Sequence, residues 1–296
     1  MSSPDPVFVY GSALISNLCF GLSSVYYTEF SKKISPIWMN CVKAIVATLA
    51  FFITIQMFYG WNEVSTKAIL MAMGSGFLGL CLADILLLRS YTVLGAGRTL
   101  LLFGFQPILF GIFGYILFSQ GFMLKNGVAI VILMICLGLF ALERRQLTGQ
   151  WDGKAFGIAL LAMFMDATGV LITRFVFESQ PQLLPLEVNF YRALGALLGF
   201  LILSPLIPLR LFSGFKSLTG RDRIRVVIIS LTGCYLALMF YLMAVQKAHL
   251  ATLSALSIFG PLSASLLECV LEKRMPSWQQ TIATLLFVGA VVLVLR

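Results

Sequence analysis

Ten apolar runs, each close to the thickness of a lipid bilayer, set the limits on how this chain can fold. An α-helix needs about 20 mostly apolar residues to cross a hydrocarbon core of ~30 Å. The runs are continuous and do not alternate with period two, which favours helices over the strands of a membrane barrel. They cover residues 8–30, 36–58, 67–88, 95–118, 126–142, 153–177, 184–204, 224–244, 249–271 and 277–295. We therefore predict an all-α polytopic membrane protein with ten transmembrane helices.

The composition supports a bilayer rather than water as the solvent. Apolar residues make up 59% of the chain and charged residues 11%, whereas soluble domains carry about 25% charged residues. The net charge of +9 comes from short gaps between the runs and not from a continuous basic face, so no nucleic-acid partner is expected. The six cysteines lie within apolar runs without a CxxC pair, so no metal, cofactor or disulfide framework is expected.

The distribution of Lys and Arg predicts the orientation. Loops on one side of the predicted spans carry fourteen of these residues, and loops on the other side carry four. The positive-inside rule places the crowded side in the cytoplasm and both termini outside. The first run is too long for a cleavable signal and should remain as a span. We expect a multi-pass protein of the plasma membrane, or of the inner membrane in a bacterium.

An internal repeat divides the chain into residues 1–146 and 147–296. A shift of 149 residues aligns Pro36 with Pro185, Asn40 with Asn189, Lys43 with Arg192 and Ala44 with Ala193, and a shift of 154 aligns Gly79 with Gly233, Ala83 with Ala237 and Pro107 with Pro261. Each copy holds five predicted spans. Because five is odd, the two copies insert with opposite orientation, which is typical of secondary transporters.

Three features of these repeats are similar to a known family. They are the basic residue early in the second and seventh spans, the prolines of "FGFQP" and "SIFGP", and the charged turn "LEKRMPSWQQ". Together with the 5+5 plan, they resemble the EamA-type exporters of the drug/metabolite transporter superfamily. The corresponding turn of the first repeat, "FSQGFMLKNG", departs from the family's pattern. The resemblance implies alternating access around a central cavity, with amino acids, metabolites, drugs or nucleotide-sugars as substrates.

Lys43 and Arg192 are cations placed inside apolar spans, each three residues after an asparagine, Asn40 or Asn189. A charge within the membrane costs at least ~2.5–3.5 kcal/mol and normally faces a cavity or a partner. The spacing puts each amide and cation on one helix face. Two interpretations stay open: a structural pair that reaches the interface or ties helix ends, or residues that bind substrate or gate the cavity.

Asp166 is the deepest acid of the predicted spans and aligns with Asn17 of the first repeat. It is too short to reach the interface. Burial away from water favours the neutral form of a carboxyl group. Asp166 is therefore a candidate for proton coupling, with a neutral or paired structural role as the alternative.

Other polar, aromatic and helix-breaking residues have more than one interpretation. Asp84 is expected to pair with Arg89 or Arg98, with a place in the site as the alternative, and Glu187 is expected to cap its helix or pair with Arg192. Tyr191 is a candidate substrate-binding residue. Pro107 and Pro261 each remove one backbone hydrogen bond and are candidate hinges. Close helix contacts are expected at Gly74, Gly76, Gly79, Gly195 and Gly199.

A secondary active transporter, acting as an exporter of a small metabolite, amino acid or drug-like solute, is the function these features favour. The alternative is a facilitative exchanger of a phosphorylated or nucleotide-linked metabolite. No P-loop for ATP is present, no filter-like loop indicates a channel, and no nucleophile–base or metal motif indicates an intramembrane enzyme. The expected partners are a small-molecule substrate and the bilayer, for a monomer or homodimer. The fold leaves the substrate open.

Overall fold

The structure is a computed structural model that describes residues 6–103, 105–118, 153–207, 209–250 and much of 253–289, together with scattered residues between 127 and 142. Nearly all of these residues are helical or lie in short turns, and no strand occurs among them. About half of the residues of the predicted fifth and tenth spans, and the boundary near residue 146, lie outside the described residues.

Within the described residues, six helices are long and apolar enough to cross a bilayer. They match the first, second, third, sixth, seventh and eighth predicted spans, and the fourth and ninth appear as shorter segments. The bounds are α1 Pro6–Lys33, α2 Pro36–Thr54, α3 Thr66–Leu94, α4 Ala96–Phe103, α5 Gln106–Phe118, α6 Gly153–Ser179, α7 Pro185–Leu203, α8 Leu211–Ser217, α9 Gly220–Lys247 and α10 Phe259–Leu271.

Two of the long helices contain a π-helical segment at corresponding positions, and a further π-helical segment, Ile55–Tyr59, follows α2 without a counterpart after α7 among the described residues. The segment of α3 is Phe77–Ala83, and that of α9 is Leu231–Leu236. Their first residues are related by the same shift of 154 that aligns the two repeats. A π turn widens the helix and leaves carbonyl groups that need other donors. The two repeats therefore share this irregularity.

Helices α2 and α7 begin in the same way. Pro36 and Pro185 occupy the first helical position, where a missing N–H costs nothing. The Ser35 hydroxyl accepts a hydrogen bond from the backbone N–H of Trp38, at 3.0 Å. At α7 the Glu187 carboxylate accepts one from the Leu184 N–H, at 2.9 Å. The sequence expectation that Glu187 caps its helix matches this geometry.

Contacts at the helix ends define two faces of the molecule. Lys33, at the end of α1, pairs with Asp222, at the start of α9; this end of the molecule is called the basic face. On the opposite face, the Ser65 N–H before α3 donates to Gln180 at the end of α6, at 3.4 Å. Helix α1 therefore ends on the basic face and α6 on the opposite face, so the two repeats run in inverted orientation.

The repeats interlock instead of standing side by side. Ser16 of α1 donates to the Ala237 carbonyl of α9 at 2.8 Å, and Ser75 of α3 donates to the Gly169 carbonyl of α6 at 2.7 Å. The first helix of each repeat thus packs on the third helix of the other. The interface between the repeats runs through the centre of the bundle.

Glycines allow the closest of these helix contacts, between α3 and α7. A methyl group at Gly76 would lie 1.8 Å from the Arg192 carbonyl oxygen, and one at Gly195 would lie 2.1 Å from that of Met73. Gly199 packs against the Phe77 ring. Gly74 was expected to take part, but nothing lies within 4 Å of a methyl group there. It is exposed because it points away from α7.

Candidate functional site

A cavity lies between the two repeats, in the middle of the bundle. Its space, together with the open solvent at its entrance, amounts to about 870 Å³. Among the described residues, five helical segments of the first repeat and three of the second supply its walls. The lining residues are Ser16, Asn17, Phe20, Lys43, Leu80, Asp84, Leu87, Leu100, Phe103, Gln106, Asp166, Gly233, Cys234, Ala237, Leu238, Tyr241, Ser257, Gly260 and Pro261.

Asp166 lies in the wall of this cavity and is half-buried. The Gln106 amide, only 5% exposed, donates from Nε2 to Asp166 Oδ2 at 2.8 Å. Asn17, which the repeat aligns with Asp166, lines the cavity from α1 and donates its Nδ2 to the Ala13 carbonyl at 2.8 Å. The two aligned positions thus place an acid and an amide on the walls of one cavity.

Lys43 and Asp84 form an ion pair in the same wall. Lys43 is 3% exposed and Asp84 8%, and Lys43 Nζ lies 2.5 Å from Asp84 Oδ2. Lys43 Nζ also lies 5.4 Å from the centre of the Tyr27 ring. The sequence analysis expected Asp84 to pair with Arg89 or Arg98. Arg89 is exposed, since five residues along a helix place its side chain and that of Asp84 on different faces, and the Arg98 side chain lies outside the described residues.

Arg192 occupies the corresponding position of α7 but has a different environment. It is 1% exposed, and its Nε and Nη1 atoms have no hydrogen-bond partner. The residue that the repeat aligns with Asp84 is Leu238, which offers no charge. A methyl group at Gly79 would lie 3.6 Å from Arg192 Nη2 and 3.7 Å from Asp166 Oδ1. No carboxylate of the described residues lies within 4.0 Å of the guanidinium.

The two asparagines bind backbone carbonyls at the π segments. Asn40 Nδ2 donates to the carbonyls of Leu80 and Cys81, at 3.0 and 3.2 Å. Asn189 Nδ2 donates to the Leu238 carbonyl, just after the second π segment, at 2.8 Å. Neither asparagine lines the cavity. Through these hydrogen bonds the asparagines support the helices that line the cavity.

Two sequence-predicted residues lie on the opposite face, away from the cavity. Both carboxylate oxygens of Glu187 accept hydrogen bonds from Asn62, at 2.6 Å from its N–H and 2.9 Å from its amide. Tyr191 packs on Phe190 with ring centres 5.5 Å apart, beside Trp61. These contacts join the loop before α3 to the start of α7.

Both candidate hinge prolines lie near the start of a helical segment. Pro107 is the second residue of α5, and the turn at Phe105 separates α5 from α4. Pro261 is the third residue of α10 and lines the cavity. The fourth predicted span is thus divided beside the cavity at Phe105, and Gln106 begins its second part.

Three partly buried aromatic rings line the cavity: Phe20, Phe103 and Tyr241. Sequence reasoning did not separate them from the aromatic residues that face lipid, because helix rotation decides which ring points inward. It also did not name Gln106 as a site residue. A glutamine in an apolar span is itself a signal, since such residues normally face a cavity or a partner.

Comparison with known proteins shows to which family the protein with this cavity belongs. The profile of the EamA-like transporter family matches residues 7–142 and again residues 153–296. The chain belongs to the EamA-like transporter family. The two matches cover nearly the whole chain, with one match in each repeat. They agree with the predicted resemblance to the drug/metabolite transporter superfamily.

The EamA assignment establishes the broad class of the protein. It is a multi-pass membrane protein of ten helices in two inverted repeats, and its family indicates transport of a small molecule and not catalysis. A solved structure described as the crystal structure of a protein shares the fold, with a TM-score of 0.74 over 96% of this chain and 97% of its own at 14% identity. No curated protein matches the chain.

Proposed function

We propose that this EamA-family protein is a secondary active transporter, acting as an exporter, that moves a small metabolite, amino acid or drug-like solute by alternating access. The observation that carries the proposal is a cavity at the interface of two inverted repeats, with a few polar side chains in largely apolar walls. Alternating access needs such a shared site. Movement of the two repeats against each other opens it first to one side of the membrane and then to the other.

The opposite face carries contacts that must separate for a solute to leave there. Arg174 Nη1 donates to the carbonyls of Val245 and Gln246 at the end of α9, at 2.6 and 2.9 Å. The Glu187–Asn62 hydrogen bonds and the rings of Trp61 and Phe190, 5.0 Å apart, add to this layer. Pro107 and Pro261 are the proposed hinges for the movement.

Asp166 is the proposed proton-coupling residue of this transporter. It lies in the cavity wall within the span, and its neutral partner by repeat, Asn17, does not titrate. When Asp166 is protonated, the protein can change between its two open states without moving an uncompensated charge through the membrane interior. Lys43 and Asp84 are proposed as residues of the same site, Arg192 as a gating cation behind it, and Asn40, Asn189 and Tyr191 as supports.

Transport by purified protein in proteoliposomes tests the proposal. Panels of amino acids, organic amines and nucleotide-sugars identify a substrate, and an imposed pH gradient tests the coupling. Asp166→Asn should fold and still exchange substrate across the membrane. Its accumulation of substrate should be the same with and without the pH gradient. Glu29→Gln, which removes an exposed acid of α1, is the control. Gradient-driven accumulation by Asp166→Asn would exclude Asp166 as the coupling residue.

The alternative, a facilitative exchanger of a phosphorylated or nucleotide-linked metabolite, has one observation in its favour. Arg192 keeps two nitrogen atoms without hydrogen-bond partners, and guanidinium groups bind phosphate well. Arg192 is not among the described residues that line the cavity, however, and Lys43 is held by Asp84. Exchange of a phosphorylated solute at a rate that does not depend on the pH gradient would favour this alternative.

We also propose the plasma membrane as the location, with the basic face in the cytoplasm and a monomer or homodimer as the assembly. The fourteen-to-four division of basic residues supports the orientation.

A further inference from the structure

Three side-chain oxygen atoms around the cavity accept no hydrogen bond from any described residue. They are Asp166 Oδ1, Asn17 Oδ1 and Gln106 Oε1. The orientation of both amides follows from their partners, because only an NH₂ group donates to the Ala13 carbonyl or to the Asp166 carboxylate. Each amide therefore has its oxygen left over. All three side chains line the cavity, so it presents unfilled acceptors.

The charges around the cavity also leave one acceptor, the Asp166 carboxylate, without a direct ionic partner. The Lys43 ammonium is engaged by Asp84 at 2.5 Å, so these two charges balance. Arg192 lies across Gly79 from Asp166 without forming an ion pair. Among the described lining residues, Asp166 is thus the carboxylate that lacks a direct ionic partner. A cation in the cavity would supply one.

The remaining walls suit an organic substituent. The rings of Phe20, Phe103 and Tyr241 line the cavity together with Leu87 and Leu100. Aromatic faces attract cations and also pack well on apolar groups. The cavity therefore combines one carboxylate, two amide oxygens and an apolar aromatic surface.

We propose that the cavity binds an organic ammonium that carries N–H groups, a primary or secondary amine in its protonated form. Its N–H donors bind Asp166 Oδ1, Asn17 Oδ1 and Gln106 Oε1, and its apolar substituent packs on the three rings. This proposal rests on the proposed function only in treating the cavity as the transport site. A quaternary ammonium carries the same charge but donates no hydrogen bond, so it cannot satisfy these acceptors.

Equilibrium binding to the purified full chain in detergent, measured by calorimetry, tests the proposal. The probes share one aromatic body: 2-phenylethylammonium, its N,N,N-trimethyl derivative and 3-phenylpropionate. We expect the primary ammonium to bind more tightly than the trimethyl derivative by about tenfold or more, since a hydrogen bond to a charged group contributes that much. The carboxylate should not bind. Equal or tighter binding of the trimethyl compound, binding of the carboxylate, or no binding of the primary ammonium at millimolar concentration would each overturn the proposal.

Variants locate the binding to these residues. Asp166→Asn should weaken binding of 2-phenylethylammonium by about tenfold or more, and Asn17→Leu should narrow the difference between the primary and trimethyl probes. Glu29→Gln, an exposed position of α1, should bind like the unaltered protein. Unchanged affinity in a folded Asp166→Asn protein would overturn the assignment. The probe comparison uses the unaltered chain, so it stands even where a variant does not fold.

The binding assay requires no transport, and this separates the two proposals. A protein that binds the primary ammonium but moves no solute in proteoliposomes contradicts the transport proposal alone. A protein that transports a solute of another class but binds no ammonium contradicts this inference alone.

Discussion

At the scale of single residues, the ion pair between Lys43 and Asp84 is the interaction whose loss should lower the free energy of unfolding most. Both groups are buried, and removal of one partner leaves an uncompensated charge in the membrane interior. Lys43→Met and Asp84→Asn should each lower the free energy of unfolding, by about 3–5 kcal/mol for a fully buried pair. Thermal unfolding of the purified protein in detergent measures the change.

The double variant Lys43→Met/Asp84→Leu should recover much of that loss, because no charge remains without a partner. The comparison of the two single variants with the double variant isolates the pair. Additive losses would mean that each residue acts through other neighbours.

Arg192 shows that the same position in two repeats need not have the same role. Its aligned counterpart Lys43 pairs with Asp84, whereas the counterpart of Asp84 is Leu238. Alignment of the repeats placed both cations within spans and left open whether they reach the interface; both are buried, with 3% and 1% of their surfaces exposed. It did not indicate that one would be paired and the other not, because that depends on a neighbouring helix.

At the scale of helices, the contact between α3 and α7 depends on glycine. A methyl group at Gly76 would overlap the Arg192 carbonyl oxygen, a backbone atom that cannot move aside without moving α7. Gly76→Ala should therefore lower the free energy of unfolding by about 1–3 kcal/mol. It should also weaken transport, because α7 and α3 together position Arg192 and the cavity wall.

The matched control is Gly74→Ala, two residues away on the lipid-facing side of α3. A methyl group there meets nothing within 4 Å. It should leave stability unchanged or raise it by up to about 1 kcal/mol, as expected for alanine in place of glycine within a helix. Thermal unfolding of both variants decides the matter. Equal effects would show that helix propensity, and not the helix contact, governs this segment.

The π segments are a second feature at this scale, and the sequence did not predict them. An apolar run has the same length and hydropathy whether one of its turns is α or π. The segments lie at corresponding places in α3 and α9, and Asn40 and Asn189 donate to carbonyls within or just after them. The sequence analysis singled out the asparagines as neighbours of a cation and not as donors to a helix backbone.

At the scale of the whole molecule, the orientation in the membrane is testable on either side. Glu63, in the loop before α3, is exposed on the opposite face, and Lys216 in α8 is exposed on the basic face. Glu63→Cys should react with a membrane-impermeant maleimide on intact cells, whereas Lys216→Cys should react only after the membrane is opened. The reverse result would place the basic face outside and leave the fold unaffected.

The sequence by itself determined the solvent, the helices and the inverted repeat. Span length is set by bilayer thickness and repeat orientation by an odd number of spans, and neither depends on how the helices pack. Only the tertiary structure decided the partners. Asp84 binds Lys43 and not Arg89, Gln106 holds Asp166, and Phe103 faces the cavity, because helix rotation and the neighbouring helix choose which side chains meet. A chain folded in lipid shows apolar residues on every side of its helices, so periodicity alone carries little of that information.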